Sequence, residues 1–196
     1  MLSIRVHVKT RCILQVEDDE NDVLLLRLVF EKAGIECPLR VVGDGQMAID
    51  YLLGAGAYAD RERFPLPCLV LLDLNLPMRG GLEVLGWIRQ HPILKKLVVV
   101  VFSSSALQVD VERAYQLGAN SYIAKPRGIE KTLEIAQLLK GWWLGYNQFA
   151  PIELAPPMAG TMHLQNETPA WRSPSLERAG PAVNNSASQP CHPKQR

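Results

Sequence analysis

The sequence predicts an α/β fold in which a doubly wound, five-stranded parallel sheet is covered by five helices. Two observations predict it. Short apolar runs rich in Val and Leu alternate with longer helix-like segments between residue 11 and about residue 145. In addition, four of the five apolar runs end directly in polar groups, as strands do where a parallel sheet presents its carboxyl edge to a ligand.

The first half of this region contains two pairs of a strand and a helix. The first strand, 13–16, is followed by helix-start chemistry at 19–21 and by a helix that Gly34 closes. The second strand is expected at 39–42 and the second helix at 45–53. A loop rich in Gly, Ala and charged residues then leads to the third strand.

The second half continues the same alternation. The strands are apolar runs bounded by Pro, Gly or polar residues, and we expect them at 68–72, 97–102 and 121–124. The helices fill the intervals, and we expect them at 82–90, at 109–117 and from about 128 onward. Pro92 and Gly118 are the stop signals of the third and fourth helices.

The last helix carries an apolar stripe longer than the sheet it covers. Its members follow steps of four and three residues, at Ile135, Leu139, Trp142, Tyr146 and Phe149. Core packing explains the first two. The aromatic residues beyond the edge of the sheet predict a surface that another molecule covers.

Composition divides the 196-residue chain into an N-terminal extension (1–10), one folded domain (11–150) and a tail (151–196). Eight of the 14 prolines fall in the tail, which predicts disorder there. A formal net charge of +1 argues against nucleic-acid or membrane binding through a large basic field. The four cysteines show no Cys-x-x-Cys spacing, and no apolar run approaches the roughly 18 residues of a membrane span. We therefore expect a cytoplasmic protein.

Charged side chains converge if the strand order is 2-1-3-4-5, because ligands then bind at the carboxyl ends of the first and third strands. Glu17 and Asp18 follow the first strand and Asp73 follows the third. Three carboxylates in a small volume require a cation, and an all-oxygen site of this kind is typical of Mg²⁺. Lys125, at the end of the last strand, would reach the same carboxylates as a point charge.

Ser103 completes a set of groups suited to phosphoryl transfer. The metal and Lys125 would neutralise phosphoryl oxygens, the Ser103 hydroxyl would donate to another, and Asp73 would be the nucleophile. Asp73 taken alone is better explained as a turn cap, but the four polar strand ends together favour the chemical interpretation. The sequence contains no Gly-x-x-x-x-Gly-Lys-Ser/Thr loop, so the expected phosphoryl donor is another protein or a small phosphoanhydride.

Four motifs resemble the receiver domain of two-component response regulators, which has a flavodoxin-like fold with strand order 2-1-3-4-5. They are Val16-Glu17-Asp18-Asp19, Leu71-Leu72-Asp73-Leu74-Asn75-Leu76-Pro77, Val101-Phe102-Ser103-Ser104 and Tyr122-Ile123-Ala124-Lys125-Pro126. The resemblance covers about residues 11 to 145. Three segments further resemble single-domain regulators that pair with bacterial phytochrome-type histidine kinases. They are the loop 54–60, the segment 73–77 and the sequence Trp142-Trp143-Leu144 near the end of the domain.

The resemblance implies a magnesium site. Asp73 would be the phosphoacceptor and, with Asp18, a direct metal ligand. Glu17 would act through a water molecule and Asn75 through its backbone carbonyl. Asp19 is better explained as a helix N-cap than as another acid of this site.

The resemblance also implies a switch. Lys125 would bind the phosphoryl oxygens, Ser103 would swing to hydrogen-bond them, and Tyr122 would move inward behind it. A cis bond is implied between Lys125 and Pro126. Gln15 departs from the family pattern, because it puts an amide in a predicted central strand where the family usually has an aliphatic residue.

These implications describe a single-domain response regulator that is not an enzyme and that receives its phosphoryl group from a partner histidine kinase. The expected output is protein docking or homodimerisation through the fourth helix, fifth strand and last helix. The residues expected on this surface are Val109, Tyr115, Tyr122 and Trp142.

Two other readings of the site remain. A phosphohydrolase of the haloacid dehalogenase type would need an acid at position 75, where this chain has Asn75. A phosphorylation-independent binding module would leave Asp73, Asp18 and Lys125 buried without use, which is costly.

Overall fold

The computed structural model describes residues 11–152, so the predicted extension (1–10) and all but the first two residues of the predicted tail lie outside the described residues. The strands lie close to their predicted positions. They are β1 (Ile13–Val16), β2 (Leu39–Val42), β3 (Leu69–Leu72), β4 (Val98–Ser103) and β5 (Ser121–Ala124). Val, Leu and Ile dominate all but the last, which is typical of parallel strands buried on both faces.

Five α-helices alternate with the strands. They are α1 (Glu20–Lys32), α2 (Gly45–Leu53), α3 (Gly81–Gln90), α4 (Gln108–Gln116) and α5 (Ile129–Leu139). Local chemistry defines their ends. The Asp19 carboxylate accepts a hydrogen bond from the Asn21 backbone N–H (2.8 Å), so Asp19 is the N-cap of α1 as predicted.

All strand pairs are parallel, and the strand order is β2-β1-β3-β4-β5. This confirms the predicted doubly wound sheet. The chain moves outward in one direction from β1 to β2 and in the other from β3 to β5. The carboxyl ends of β1 and β3 therefore flank the point where the connections diverge.

Two apolar layers cover the sheet, one on each face. On one face the sheet packs against α2, α3 and α4, through side chains such as Leu52, Leu85 and Ala114. On the other it packs against α1 and α5, through side chains such as Val29 and Ala136. The rigid two-layer core fixes the strand ends on which the candidate site is built.

The last helix is shorter than its apolar stripe predicts. Regular α-helix ends at Leu139, a π-helical segment follows at Lys140–Tyr146, and Phe149 lies beyond it. Gly141 and Gly145 weaken regular helix in this segment. The Phe149 ring lies 5.4 Å from the Arg11 guanidinium carbon, so it packs against the start of the domain rather than extending the stripe.

Among residues 11–152, no helix is both long enough and apolar enough to cross a membrane.

Candidate functional site

The sheet brings together the five polar positions that the sequence places at strand ends. Glu17 and Asp18 directly follow β1, Asp73 directly follows β3, and Lys125 directly follows β5, while Ser103 is the last residue of β4. Because all strands are parallel, these residues share the carboxyl edge of the sheet. Glu17, Asp73 and Ser103 are buried there.

Both oxygens of Asp73 are held by hydrogen bonds. Oδ1 accepts from the Ser103 hydroxyl (2.5 Å) and from the backbone N–H groups of Leu74 (2.5 Å) and Asn75 (3.2 Å). Oδ2 accepts from the Lys125 ammonium (2.7 Å). The side chain is 5% exposed. The carboxylate is therefore fixed in orientation, with a cation and a hydroxyl already in contact with it.

Lys125 is the centre of the charge network. Its Nζ lies 2.6 Å from Glu17 Oε2, 2.7 Å from Asp22 Oδ2 and 2.7 Å from Asp73 Oδ2. The Lys125 backbone N–H donates to the Ser103 carbonyl (2.8 Å), which continues the β4–β5 ladder by one residue and holds the lysine at this edge. One ammonium thus compensates carboxylates from β1, α1 and β3.

The network shifts the pKa values of two of its members. Burial would lower the pKa of Lys125, but its hydrogen bonds to Asp22, Asp73 and Glu17 raise that pKa above its usual range. Burial raises the pKa of Glu17, because the hydrogen bond from Lys125 offsets the loss of solvation only in part and the Asp73 charge adds to it. The site therefore holds Lys125 charged and opposes the ionisation of Glu17.

The predicted metal ligands are only partly assembled. Asp18 and Asn75 are exposed, and the Asn75 side-chain amide lies 3.5 Å from the Ser104 hydroxyl. Within residues 11–152, no three His, Cys, Asp or Glu side chains are placed so that they could together hold a metal ion. In the structure, the Lys125 ammonium occupies the space between Glu17 and Asp73.

The donor chemistry nevertheless fits Mg²⁺. Four carboxylates, Glu17, Asp18, Asp22 and Asp73, share this edge with one ammonium, which leaves a formal charge of −3. Oxygen donors in excess of the available positive charge are what a hard divalent cation requires. Glu17, Asp18, Asp73 and the Asn75 carbonyl are the groups that would hold it.

Ser103 and Tyr122, two of the predicted switch residues, differ in burial and in hydrogen-bond partners. The Ser103 hydroxyl is fully buried and already bonded to Asp73. Tyr122 is half-buried, and its hydroxyl donates to the Ser105 carbonyl (2.8 Å) in the loop between β4 and α4. Burial raises the pKa of the Tyr122 phenol. The tyrosine is thus linked to the loop that follows Ser103.

The expected cis bond between Lys125 and Pro126 is wrong for this structure, since none of the described peptide bonds is cis. The trans form is the lower-energy form of most X–Pro bonds, by about 0.5–1 kcal/mol.

Sequence reasoning missed Asp22, the third acid in contact with Lys125. Asp22 lies in the first turn of α1, where an acid is also explained by the helix dipole. The position of Asp22 in the sequence could have indicated that it belongs to the site. Asp22 follows Asp18 by four residues at the start of a helix that begins at the functional edge of the sheet.

Comparison with known proteins decides the family. A model of the response regulator receiver domain matches residues 13–137, which is more than half of the chain. The chain belongs to the response regulator receiver family. The receiver fold and its strand order agree with the sheet described above, and the role of the chain is that of a phosphoacceptor response regulator in two-component signalling.

The chain is similar to several known response regulators. Response regulator Rcp1 of Synechocystis sp. is 38% identical over 134 residues, which cover 68% of this chain and 89% of Rcp1. The crystal structure of Mn²⁺-bound Rcp1 matches with a TM-score of 0.65 at 36% identity, over 72% of this chain and 99% of that one.

Two further solved structures match over the same shares, 72% of this chain and 99% of theirs. The phosphorylated cyanobacterial phytochrome response regulator RcpA has a TM-score of 0.67 at 33% identity. Response regulator RPA3017, from red-light signalling of R. palustris, has a TM-score of 0.69 at 35% identity. The receiver domain of this chain therefore resembles these three response regulators over nearly their whole length.

Proposed function

We propose that Asp73 accepts a phosphoryl group from a phosphohistidine of a partner histidine kinase in a Mg²⁺-dependent reaction. The observation that carries this proposal is the Asp73 carboxylate, buried at the switch point of the sheet and bonded on one oxygen to Lys125 and on the other to Ser103. In the reaction an Asp73 oxygen forms a bond to phosphorus while the bond from phosphorus to the histidine nitrogen breaks.

The residues around Asp73 supply the remaining functions. Glu17, Asp18 and Asp73, with the Asn75 carbonyl, would hold Mg²⁺, which neutralises phosphoryl oxygens when it is bound. Lys125 lies 2.7 Å from Asp73, so its ammonium is positioned to exchange a carboxylate partner for a phosphoryl oxygen. Ser103 donates to Asp73 and would redirect its hydroxyl to the new phosphoryl group. The structure of Rcp1 with Mn²⁺ supports a divalent cation in this family.

Movement of Ser103 would be sensed by Tyr122. The Tyr122 hydroxyl bonds to the Ser105 carbonyl, two residues after Ser103, so a shift of this loop changes the position that the ring prefers. Such a change is a shift in population between two packed states rather than a signal passed along a fixed chain of residues.

We infer that the kinase is of the phytochrome type. This inference rests on the similarity to RcpA, a cyanobacterial phytochrome response regulator, and to RPA3017, which belongs to red-light signalling. The chain itself is a phosphoacceptor and not an enzyme acting on an external substrate, apart from the hydrolysis of its own acyl phosphate. We place it in the cytoplasm, because the described cysteines are free thiols and thiols persist in reducing compartments.

The output surface that we propose lies on α4, β5 and the segment after α5. Val109 is 55%, Tyr115 51% and Trp142 63% exposed, which is high for large apolar side chains. Tyr122 connects this surface to the site, since its backbone N–H bonds to the Tyr115 hydroxyl (3.2 Å). A homodimer, or a docked protein partner, would cover this surface.

Acetyl phosphate tests the proposed chemistry without a kinase. We expect the intact mass to increase by one phosphoryl group in the presence of Mg²⁺, and to remain unchanged with EDTA or in Asp73→Asn. The control is Asp60→Asn, which removes an exposed acid that caps a turn before β3 and should be labelled like the wild type. A lack of labelling in folded wild-type protein would favour the phosphorylation-independent binding module.

Sedimentation of the labelled and unlabelled protein tests the output. Phosphorylation should change the distribution of monomer and dimer, and Trp142→Ser should reduce that change. Identical distributions would limit the output to docking with a different protein.

A further inference from the structure

All three hydrogens of the Lys125 ammonium are directed to carboxylates. Its Nζ donates to Glu17 Oε2 (2.6 Å), Asp22 Oδ2 (2.7 Å) and Asp73 Oδ2 (2.7 Å). An ammonium group has three donors and no more. Lys125 thus has no free donor for a phosphoryl group, which must take its share of the ammonium from these acids.

The three acids differ in how far they compete with a phosphoryl group. Asp73 would itself carry that group, so its hydrogen bond from Lys125 passes to the new oxygens. Glu17 is one of the groups that would hold Mg²⁺, and a bound cation would share its charge. Asp22 belongs to neither case. Its full charge therefore remains to compete for the ammonium.

Asp22 is also the acid that survives the loss of the lysine most easily. Its side chain is partly exposed, whereas the side chains of Glu17 and Asp73 are buried. A buried carboxylate without a partner is costly, but water can solvate a carboxylate at the surface. The contact between Asp22 and Lys125 can therefore break while the rest of the site stays intact.

The competition concerns the end of the Lys125 side chain, because the backbone of this residue is held in place. The Lys125 N–H donates to the Ser103 carbonyl (2.8 Å). Asp22 attracts Nζ from the first turn of α1, and Asp73 attracts it from the end of β3. A phosphoryl group on Asp73 would draw Nζ towards β3, and the Asp22 carboxylate opposes that shift.

We propose that Asp22 is a positioning residue that competes with the phosphoryl group on Asp73 for the Lys125 ammonium and so limits the affinity of the site for that group. This inference rests on the proposed phosphoryl transfer to Asp73. It adds a residue from α1 that belongs neither to the predicted metal ligands nor to the predicted switch residues.

Beryllofluoride measures the competition, because it is a stable mimic of a phosphoryl group and needs no kinase. The full chain is titrated with beryllofluoride by isothermal titration calorimetry, at a Mg²⁺ concentration that saturates each protein so that differences in metal affinity do not contribute. We expect Asp22→Asn to bind the mimic about two- to fivefold more tightly than the wild type, which is the range of a partly exposed ion pair.

The direction of this change separates competition from a structural role. A substitution that only loosened the start of α1 would weaken binding of the mimic. The matched control is Glu20→Gln, which removes an acid from the same turn of α1, where Glu20 is exposed and makes no ion pair with Lys125. Its affinity for beryllofluoride should match that of the wild type.

A double-mutant cycle tests whether Asp22 acts through Lys125. In a Lys125→Ala background, Asp22→Asn should bind beryllofluoride no more tightly than the background protein, because Asp22 then has no ammonium to hold. If Lys125→Ala does not bind the mimic at all, the comparison of Asp22→Asn with Glu20→Gln decides.

Equal or weaker binding by Asp22→Asn, an equal gain in Glu20→Gln, or a gain that persists without Lys125 would each overturn the proposal. Failure of the phosphoacceptor function looks different. A folded wild type that neither binds beryllofluoride with Mg²⁺ nor is labelled by acetyl phosphate would overturn that function and this inference together. A wild type that binds the mimic as tightly as Asp22→Asn would overturn this inference alone.

Discussion

The Lys125 ammonium lies 2.7 Å from Asp22, so the first turn of α1 is tied to the end of β5 across the site. The other two acids in contact with Lys125, Glu17 and Asp73, are at most 5% exposed, whereas the Asp22 side chain is 35% exposed. Asp22 is therefore the partner that the lysine can release at the lowest cost when a phosphoryl group competes for it.

We predict that Asp22→Asn lowers the free energy of unfolding by about 0.5–1 kcal/mol, the range of a partly exposed ion pair. Urea unfolding measures it. The matched control is Glu20→Gln, because Glu20 also lies in the first turn of α1 and shares any effect of the helix dipole. Equal effects of the two substitutions would show that the contact with Lys125 contributes nothing to stability. Labelling by acetyl phosphate should persist in both variants.

The raised pKa of Glu17 predicts a dependence of stability on pH. A folded-state pKa above the ordinary value of 4.5 stabilises the fold at pH values below 4.5, and this contribution is lost as the pH rises through the folded-state pKa. Glu17→Gln cannot titrate. The free energy of unfolding of the variant minus that of the wild type should therefore increase as the pH rises from 4 to 7.

Chemical denaturation with EDTA present measures this difference without interference from metal ions. Glu31→Gln, an exposed change on α1, should show no comparable trend. A difference that decreases between pH 4 and pH 7 would mean that Lys125 lowers the pKa of Glu17 more than burial raises it.

The sequence predicts most of this site because a parallel sheet gathers strand ends. Once 13–16, 69–72 and 121–124 are recognised as strands, the residues that follow them must share an edge of the sheet. This alone is enough to place Asp73 in the site. The contact of Asp22 with Lys125 depends instead on the rotation of α1 about its axis, which the packing of Val29 and Phe30 determines.

The close approach of α3 to Asp73 predicts that replacing Gly81 lowers both stability and the rate of labelling. A Cβ atom at Gly81 would lie 1.9 Å from the Asp73 carbonyl oxygen, so even alanine must displace the backbone that carries the phosphoacceptor. We expect Gly81→Ala to lower the free energy of unfolding by about 1–3 kcal/mol and to slow labelling by acetyl phosphate.

Gly43→Ala is the control for this substitution, because nothing lies within 4 Å of a Cβ atom there. Its free energy of unfolding should stay within about 0.5 kcal/mol of the wild type. If Gly81→Ala were as stable and as reactive as Gly43→Ala, the start of α3 would not constrain Asp73.

The structure predicts that Gln15, the amide in a central strand, costs stability. It lies in the second strand from the edge, its side chain is 1% exposed, and neither its Nε2 nor its Oε1 has a hydrogen-bond partner among the described residues. A buried amide without partners costs about 1–3 kcal/mol relative to an apolar group. Gln15→Met, which keeps the length of the side chain, should raise the free energy of unfolding by about that amount.

The control is Gln137→Met, an exposed change on α5 that should leave the free energy of unfolding within about 0.5 kcal/mol of the wild type. Urea unfolding at pH 7 measures both variants. If Gln15→Met is neutral or destabilising, the amide has partners after all, such as an internal water molecule. Gln15 lies on β1 between β2 and β3, and its amide makes no hydrogen bond to the groups that contact Asp73, so labelling by acetyl phosphate should be unchanged in a stabilised variant.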